Sequence, residues 1–405
     1  MKYSLFIARR LQQGKQGSFS ALVSRVAVIT IMLGVATMVV SFSILEGFKK
    51  NIKEKIFSFG AHIQVTKYEI NQSFEDSPIK LDSGFLKQLA KNPEIGHVQV
   101  YLHKPGLLKS ESEISGVVLK GISRDFDTTS FRTNMKEGRF IKFSDSTYSS
   151  EIIISTRLAS KLNVKKNDSL WMYFIQDPPR FRKLCVVGIY ETGLEEFDDH
   201  FVLSDLALNR KMNDWGDTLI GGYEIFIKDF NQIDPVHQEV FDMTDADLDA
   251  VKITDKYLEI FDWLVVLNQN VMFFIVIVLF VACFNTISTV FILIVERTST
   301  IGLLKAMGAN NGQLSMIFFL QGFTLLGKGL LWGNILGLGI AWVQYQFHLI
   351  PLDPVNYYMY TVPISWNWWM ICFVNLLTAV LVGLVILIPL ISVTVMKPIK
   401  AIKFN

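Results

Sequence analysis

Four long apolar segments dominate the pattern of hydrophobic and polar positions. They occupy residues 26–45, 271–295, 314–345 and 366–395, and none of them contains Asp or Glu. Each is long enough to cross the roughly 30 Å hydrocarbon core of a bilayer as an α-helix. A long hydrophilic stretch, residues 49–262, separates the first segment from the other three. The pattern predicts an α-helical membrane protein with four transmembrane helices in a 1+3 arrangement.

The hydrophilic stretch mixes two periodicities. Alternating or β-branched runs predict strands, and three-to-four-residue spacing of apolar positions predicts helices. The stretch is therefore expected to form a large α+β domain inserted between the first and second transmembrane helices. The predicted strands are residues 62–66, 116–121, 151–154, 170–175 and 184–190, and the predicted helices are 86–91, 157–162 and 235–243.

These patterns divide the whole chain into segments. Residues 1–22 are expected to form a cytoplasmic amphipathic segment. Residues 1–11 fit a short amphipathic helix, with Tyr3, Phe6 and Ile7 toward lipid and Arg9 and Arg10 toward headgroups, and a frayed tail is the alternative. The transmembrane helices are predicted at 23–48, 263–295, 313–345 and 366–395. The segments that join or follow them are predicted at 296–312, 346–365 and 396–405.

Charge is distributed unevenly and indicates orientation. The 49–262 stretch carries 28 Lys and Arg against 34 Asp and Glu, whereas the rest of the chain carries 11 basic and 3 acidic residues. Short loops rich in Lys and Arg stay on the cytoplasmic side. Arg297 and Lys305 follow the second helix, Lys397, Lys400 and Lys403 lie in the tail, and the loop 346–365 has no Lys or Arg. Both termini are therefore expected in the cytoplasm and the large domain outside it.

Motifs for catalysis and for resident cofactors are missing from the sequence. It has no phosphate-binding G-x-x-x-x-G-K-[ST] loop and no G-x-S-x-G, H-E-x-x-H or C-x-x-C pattern. The six histidines are scattered without metal-ligand spacing. We expect no catalytic residue, no metal, no cofactor and no nucleic-acid partner. The acidic run 195–199 predicts a solvated face, with cation binding as the alternative.

Three features of the apolar segments suggest contacts within the membrane. Gly329, Gly333 and Gly337 recur every four residues, which predicts a stripe that lets a neighbouring helix approach closely. Asn285 and Asn334 are expected to hydrogen-bond between helices. Lys328 must reach the interface, contact lipid phosphate or backbone, or face a cavity that handles substrate.

A short amphipathic helix is predicted directly after the second transmembrane helix. Ile301, Leu304 and Met307 recur at spacings of three, and Gly308 supplies a helix stop. An element of this length cannot span the bilayer. It is expected to lie on the cytoplasmic surface or to dock in the groove of a partner protein.

Several motifs, in the same order, resemble one family. They are GVATMVVSFSILEGF (34–48), HIQV (62–65), GIYETGLEEFDD (188–199), FNTIS (284–288), ERTSTIGLLKAMGA (296–309), FFLQG (318–322) and LDPVNYYMYTVPI (352–364). The chain resembles the FtsX/MacB-like permeases of ABC transporters, and among them the lipoprotein-releasing, or Lol, type. The resemblance covers nearly the whole chain.

The resemblance implies the partners of this chain. It implies a pair of permease subunits, identical or paralogous, joined in the inner membrane of a bacterium to two copies of a separate cytoplasmic ATPase. ATP and Mg would bind to that ATPase and not to this chain. The residues that would couple the permease to the ATPase are Glu296, Arg297, Ile301, Gly302, Leu304, Lys305, Met307 and Gly308.

It also implies a substrate and a route. Acyl chains of a lipoprotein would enter laterally, with membrane lipids around them, and the lipoprotein would pass to a periplasmic carrier recruited by a hairpin. The hairpin candidates are Asp177, Pro178, Pro179, Arg180 and Arg182, in a turn shorter than the family's long carrier-binding hook, and an ordinary exposed turn is the alternative. The apolar candidates that would contact acyl chains are Met32, Val35, Met38, Val39, Phe42, Phe273 and Phe274.

Two other functions remain open at this point. One is a mechanotransducer similar to the cell-division permeases, which activates a periplasmic wall hydrolase and transports nothing. The other is an efflux component similar to the macrolide type, although those permeases generally carry a fused ATPase that this chain lacks.

Overall fold

The computed structural model describes residues 19–68, 74–144 and 147–395. In chain order its helices are α1 (Phe19–Phe59), α2 (Ser83–Leu89), α3 (Thr128–Phe131), α4 (Thr156–Lys161), α5 (Glu195–Asp198), α6 (Leu206–Met212), α7 (Ile233–Met243), α8 (Ile253–Lys256), α9 (Leu258–Glu296), α10 (Thr298–Ala306), α11 (Asn311–Phe347), α12 (Pro354–Tyr357), α13 (Trp368–Val385) and α14 (Leu387–Val395).

The strands lie between α1 and α8. They are β1 (Ile63–Lys67), β2 (Ile79–Lys80), β3 (Ile95–Lys109), β4 (Ile114–Ile122), β5 (Met135–Gly138), β6 (Glu151–Ser155), β7 (Ser169–Phe174), β8 (Arg180–Tyr190), β9 (Phe201–Asp205), β10 (Leu219–Ile220), β11 (Gly222–Ile227) and β12 (Leu248–Lys252).

The described residues form two compact units. The membrane unit contains residues 19–50, 263–351 and 361–395, and the hydrophilic domain contains 51–262 together with the short segment 352–360. The second part of the hydrophilic domain was not expected, because 346–365 was predicted only as a loop. The predicted N-terminal segment up to residue 18 and the tail 396–405 lie outside the described residues.

Among the described residues, four helical stretches are long and apolar enough to cross a membrane. They are α1, α9, α11 and α13 with α14. The helices α1 and α9 exceed their predicted segments, because α1 ends at Phe59 and not at residue 48, and α9 begins at Leu258 and not at 263. The break between α13 and α14 lies near Pro389, whose ring excludes a regular helical hydrogen bond.

The hydrophilic domain is α+β, as predicted. Strands β12, β1, β11 and the first half of β3 form an antiparallel sheet. The second half of β3 continues into a closed ring of six strands, in the order β3, β4, β9, β6, β8 and β7, with β7 pairing back to β3. Inward side chains such as Leu119, Ile154 and Leu170, none of them exposed, fill this small barrel.

Local sequence signals explain part of this domain. All five predicted strands and all three predicted helices are confirmed, as β1, β4, β6, β7, β8, α2, α4 and α7. The side chain of Asp82 caps α2, Ser155 caps α4 and Asp205 caps α6, each accepting a hydrogen bond from a backbone N–H of the first turn. The starts of α2 and α4 lie within a few residues of the predicted positions, whereas α6 was not predicted.

Candidate functional site

The helix that follows α9 is short and ends as its sequence predicts. It runs from Thr298 to Ala306, and Gly308 adopts a φ of +93°, a conformation that favours glycine. The backbone N–H of Ala309 donates to the carbonyl of Leu304 at 2.9 Å and closes the last turn. Asn310 then caps α11 in a capping box with Gln313. Helix α10 is therefore a separate element between two long helices.

The two faces of α10 have different environments. Ile301 and Gly302 are buried, and Leu304 packs against the core of the membrane unit. The ammonium of Lys305 donates to the carbonyl of Val393 at 2.9 Å. These residues attach α10 to the rest of its own unit, so they do not present a free surface.

The opposite face of α10 is apolar and exposed. Leu303 is 58% exposed and Met307 66% exposed. Glu296 is also exposed, whereas Arg297 is half-buried. Sequence spacing grouped Met307 with Ile301 and Leu304, but the outward pair is Leu303 and Met307, one helical turn apart. Leu303 was missed because a run of apolar residues does not reveal which of them the tertiary fold covers.

The glycine stripe of α11 lies against a neighbouring helix, as predicted, and that helix is α1. A methyl group added at Gly329 would lie 2.5 Å from Ile31, and one at Gly333 would lie 2.7 Å from Val35. At Gly337 the nearest atom would be the Cα of Ala36, at 3.0 Å. These distances are shorter than van der Waals contact. Only glycine allows the two helices to approach this closely.

This packing corrects the expected substrate face of α1. Val35, Met38, Val39 and Phe42 are at most 5% exposed within the membrane unit, and Met32 is half-buried. The expectation that they form an open apolar face is therefore wrong for this subunit. The large α1 side chains that do face outward are Leu22, Val26, Ile29 and Leu33.

Helix α9, in contrast, exposes the residues that were predicted on it. Phe273 is 71% and Phe274 44% exposed. Positions spaced by three, four or seven residues share one face of a helix. Phe273 therefore begins an exposed stripe, named here the α9 stripe, that continues through Ile277, Phe280, Phe284 and Phe291.

Polar side chains in the membrane unit have different environments. Asn334 on α11 and Asn375 on α13 exchange two hydrogen bonds, of 2.6 and 2.9 Å, which confirms the prediction for Asn334. The prediction for Asn285 is not confirmed, because its buried Nδ2 has no hydrogen-bond acceptor among the described residues. Lys328 lies on the exposed face of α11, about 25 Å along the helix from Tyr345.

Tyr345 belongs to a group of aromatic rings. Its ring centroid lies 6.1 Å from that of Trp366, which in turn stacks on Trp368 at 6.4 Å. Aromatic residues concentrate at membrane interfaces. A flexible Lys side chain can extend toward water or lipid headgroups, so the role of Lys328 stays the prediction made from the sequence.

Two protein-family models match most of this chain. Residues 24–240, more than half of the chain, match the MacB-like periplasmic core domain, and residues 272–398 match the FtsX-like permease C-terminal region. The chain belongs to the FtsX/MacB-like permease family. The resemblance to the FtsX-like and MacB-like permeases, named from the motifs, is thereby confirmed.

Individual relatives are more distant but extend over most of the permease. This chain is 24% identical, over 84% of its length, to the lipoprotein-releasing system transmembrane protein LolE of Haemophilus influenzae, and the match covers 83% of LolE. It is 23% identical over 82% to LolC of Neisseria meningitidis, with 80% of that chain covered. The periplasmic region of MacB from Actinobacillus actinomycetemcomitans matches 49% of this chain and 92% of that one, at 12% identity and a TM-score of 0.35.

The predicted hairpin of the permease is present between β7 and β8. Asp177, Pro178 and Pro179 form its exposed tip. Arg180 donates to Asp214 at 2.8 Å and to the carbonyls of Lys211 and Met212, so its guanidinium holds the hairpin against the end of α6. The same hydrogen bonding lowers the pKa of the Asp214 carboxyl.

Arg182 also contributes to the hairpin itself. Its guanidinium donates to the carbonyl of Phe181 at 2.7 Å, and the side chain is half-buried. Arg180 and Arg182 are therefore engaged in their own domain, and the residues free to meet another protein are the three at the tip. The turn between β7 and β8 is short, and its size relative to the family's hook stays a prediction.

The acidic run 195–199 has mainly a structural role. Asp198 is buried and accepts hydrogen bonds from the N–H and hydroxyl of Thr192 and from the N–H of Gly193. Burial raises the pKa of Asp198, and these hydrogen bonds oppose the rise. Arg157 pairs with Glu195 at 2.6 Å and with Asp199 at 2.7 Å. Among the described residues, no group of three or more His, Cys, Asp or Glu is arranged to hold a metal ion.

Proposed function

We propose that this permease is the membrane subunit of an ABC transporter that extracts lipoproteins from the bacterial inner membrane for delivery to the outer membrane. The observation that carries the proposal is the α9 stripe. It offers a long apolar surface for acyl chains, in a chain similar over more than four fifths of its length to proteins named for lipoprotein release.

The orientation follows from the charge pattern. In the proposed 1+3 arrangement, α1, α9, α11 and α13 with α14 each cross the inner membrane once. Arg297 and Lys305, on the segment between α9 and α11, favour a cytoplasmic position for that segment. Both termini then lie in the cytoplasm and the hydrophilic domain in the periplasm.

Energy would enter through α10. The chain has no phosphate-binding loop, so a separate ATPase dimer would bind ATP and Mg and hydrolyse the nucleotide. The exposed pair Leu303 and Met307 would fit a groove on that ATPase, while Ile301 and Leu304 would pass its movement to the helices that they contact. A second permease subunit, identical or paralogous, would complete the transporter.

The chemical task explains the need for ATP. Removing an acyl chain from a bilayer costs about 0.8 kcal/mol for each buried methylene, so a multiply acylated protein leaves extremely slowly unaided. The α9 stripe would shield acyl chains during extraction. The hairpin tip at Asp177, Pro178 and Pro179 is the proposed contact for a periplasmic lipoprotein carrier.

Photocrosslinking in cells tests the route. A photoreactive residue would replace Phe273 or Phe280, which are 71% and 69% exposed, and in the control would replace Met38, which is 1% exposed. We expect acylated proteins to crosslink to the α9 positions and not to Met38, and ATP added to isolated membranes to reduce the adduct. Adducts only to a wall hydrolase or its activator would reject lipoprotein extraction and favour the mechanotransducer.

A further inference from the structure

The short connection between α11 and α13 folds back on itself. The N–H of Leu352 donates to the carbonyl of Tyr360 at 2.8 Å, and Pro351 and Thr361 form an antiparallel bridge. Val362 donates to the carbonyl of Ile350 at 3.2 Å. These bonds close the base of a loop, residues 352–360, that groups with the hydrophilic domain and not with the helices at its two ends.

Polar contacts hold this loop to the domain. The hydroxyl of Tyr360 donates to one carboxylate oxygen of Glu191 at 2.6 Å, and the ammonium of Lys136 lies 3.0 Å from the other oxygen. The ammonium of Lys55, in the last turns of α1, donates to the carbonyl of Tyr358. The Met359 side chain between these two tyrosines is 7% exposed.

The domain is shaped to accept the loop. Gly193 has a φ of +72°, and a methyl group there would lie 2.5 Å from the Lys55 ammonium and 3.3 Å from the Tyr358 carbonyl. A side chain at this position would displace both groups. The missing side chain at Gly193 therefore makes room for the loop, and this steric observation is independent of the ion pair at Glu191.

Electrostatics favour the same arrangement. Burial by itself would raise the pKa of Glu191, but hydrogen bonds from Tyr360 and Lys136 and nearby positive charge lower it overall. Burial lowers the pKa of Lys55, and the charges of Asp198 and Glu191 oppose that shift. The carboxylate is thus kept charged as an acceptor for its two donors.

The residues that follow the loop contact α1 within the membrane unit. The N–H of Ser365 donates to the carbonyl of Ser43 at 3.0 Å. A methyl group at Gly47 would lie 2.4 Å from the carbonyl oxygen of Pro363. One short connection therefore contacts the membrane part of α1 through residues 363–365 and the last turns of the same helix, at Lys55, through Tyr358.

We infer that residues 351–361 form a clasp, held by Tyr360, Glu191 and Lys136 and by Tyr358 and Lys55, that transmits movement of α11 and α13 to the periplasmic domain. The inference rests on the proposed function for the direction of this coupling. A transmitting clasp must stay closed during the transport cycle. Breaking it should uncouple ATP hydrolysis from lipoprotein release, and locking it should do no harm.

The first experiment asks whether these contacts hold the loop. Hydrogen exchange of residues 350–362 would be followed by mass spectrometry in the full permease in lipid nanodiscs. Tyr360→Phe and Glu191→Gln should each speed exchange about tenfold, since each removes a charge-assisted hydrogen bond. Tyr68→Phe, at a 65% exposed tyrosine of the same domain, is the control. Unchanged exchange in the first two variants would overturn the clasp.

The second experiment asks what the clasp does. The permease would be purified with its ATPase and a bound lipoprotein, after replacement of Cys185, Cys283 and Cys372 by Ala. Tyr360→Phe and Glu191→Gln should retain ATP hydrolysis and lose most ATP-dependent lipoprotein release. A Tyr360→Cys, Glu191→Cys variant joined by a short reducible thiol crosslinker should release lipoprotein while the crosslink holds the loop, and should lose most of that release after reduction.

The results of this second experiment can contradict the clasp in two ways. Normal release by Tyr360→Phe would overturn transmission through the clasp. Release that stops on crosslinking and returns on reduction would also overturn it, because the clasp would then have to open. Failure of the proposed function is distinguishable, since the unsubstituted complex would then release no lipoprotein at all.

Discussion

The ammonium of Lys120 lies 2.7 Å from the carboxylate of Glu224, and the two side chains are 2% and 0% exposed. Lys120 also donates to the carbonyl of Phe59, the last residue of α1, at 2.6 Å. Gln64 and Gln99 donate to the two carboxylate oxygens at 3.1 and 2.7 Å. This fully bonded ion pair joins the end of α1 to the sheet of the hydrophilic domain.

Removing one partner of that pair should be costly. Lys120→Met would leave a buried carboxylate without its counter-charge, and we expect the free energy of unfolding of the hydrophilic domain to fall by about 3–5 kcal/mol. Urea unfolding of the full permease, followed by hydrogen exchange of β4 and β11, measures the change. The matched control is Lys252→Met, at an exposed pair with Asp234, which should cost less than about 1 kcal/mol.

The glycine stripe should tolerate no added methyl group. Gly333→Ala would place one 2.7 Å from Val35 and should destabilise the membrane unit by about 1–3 kcal/mol. Gly339→Ala, on the same helix, meets nothing within 4 Å. It should leave the melting temperature unchanged or raise it, because alanine favours a helix by about 1 kcal/mol over glycine. Thermal melting of both variants in detergent compares them, and equal melting temperatures would contradict the packing.

The two faces of α10 should separate assembly from stability. Met307→Glu places a charge on the exposed face and should weaken ATPase binding at least about tenfold, or ~1.4 kcal/mol, without lowering the melting temperature. Ile301→Ala, on the buried face, should lower the melting temperature, since truncating a buried Ile costs about 2–5 kcal/mol. Co-purification of the ATPase and thermal melting give the two readings. Normal ATPase binding by Met307→Glu would reject the exposed face as the docking surface.

His62 should make the hydrophilic domain sensitive to acid. Burial lowers its pKa to about 4, and its Nδ1 accepts the N–H of Ile227 at 2.8 Å. In the unfolded chain the His62 side chain has a pKa near 6.5, so between pH 6.5 and 4 it binds a proton that it does not bind in the folded domain. Stability is therefore complete above pH 6.5 and falls by about 3 kcal/mol as the pH drops toward 4.

The contribution of His62 can be isolated by substitution. Other groups also titrate in this range, so the permease and its His62→Gln variant should be unfolded in parallel at pH 7 and pH 4.5. The loss of stability on acidification should be smaller in the variant, which has no imidazole to protonate. An equal loss in both proteins would show that His62 does not contribute.

The membrane helices and some elements of the hydrophilic domain could be predicted because their signals are local. The apolar runs predicted the membrane helices, alternation predicted β7 and a β-branched run predicted β6, whereas β3, β9 and β11 were not predicted. The faces of α1 could not be predicted, since nearly every residue from Val26 to Leu45 is apolar or small. Only the approach of α11 decides that Val35 is buried and Leu33 exposed.

Contacts between residues far apart in the sequence could not be predicted either. The motifs 188–199 and 352–364 were both noted in the sequence, but nothing local indicates that Glu191 and Tyr360 meet. The acidic run leaves a cation site open as an alternative in the sequence, yet its Asp198 accepts hydrogen bonds from the backbone of Thr192 and Gly193. Such roles depend on the tertiary fold, which single-sequence patterns do not encode.

Reconstituted lipoprotein release tests the central claim most directly. The permease, its ATPase and a triacylated lipoprotein would be placed in proteoliposomes, and lipoprotein appearing in the soluble fraction with a carrier would be measured with and without ATP. The account predicts ATP-dependent release that Met307→Glu abolishes and Met307→Leu preserves. ATP hydrolysis by an assembled complex from which no lipoprotein departs would contradict it.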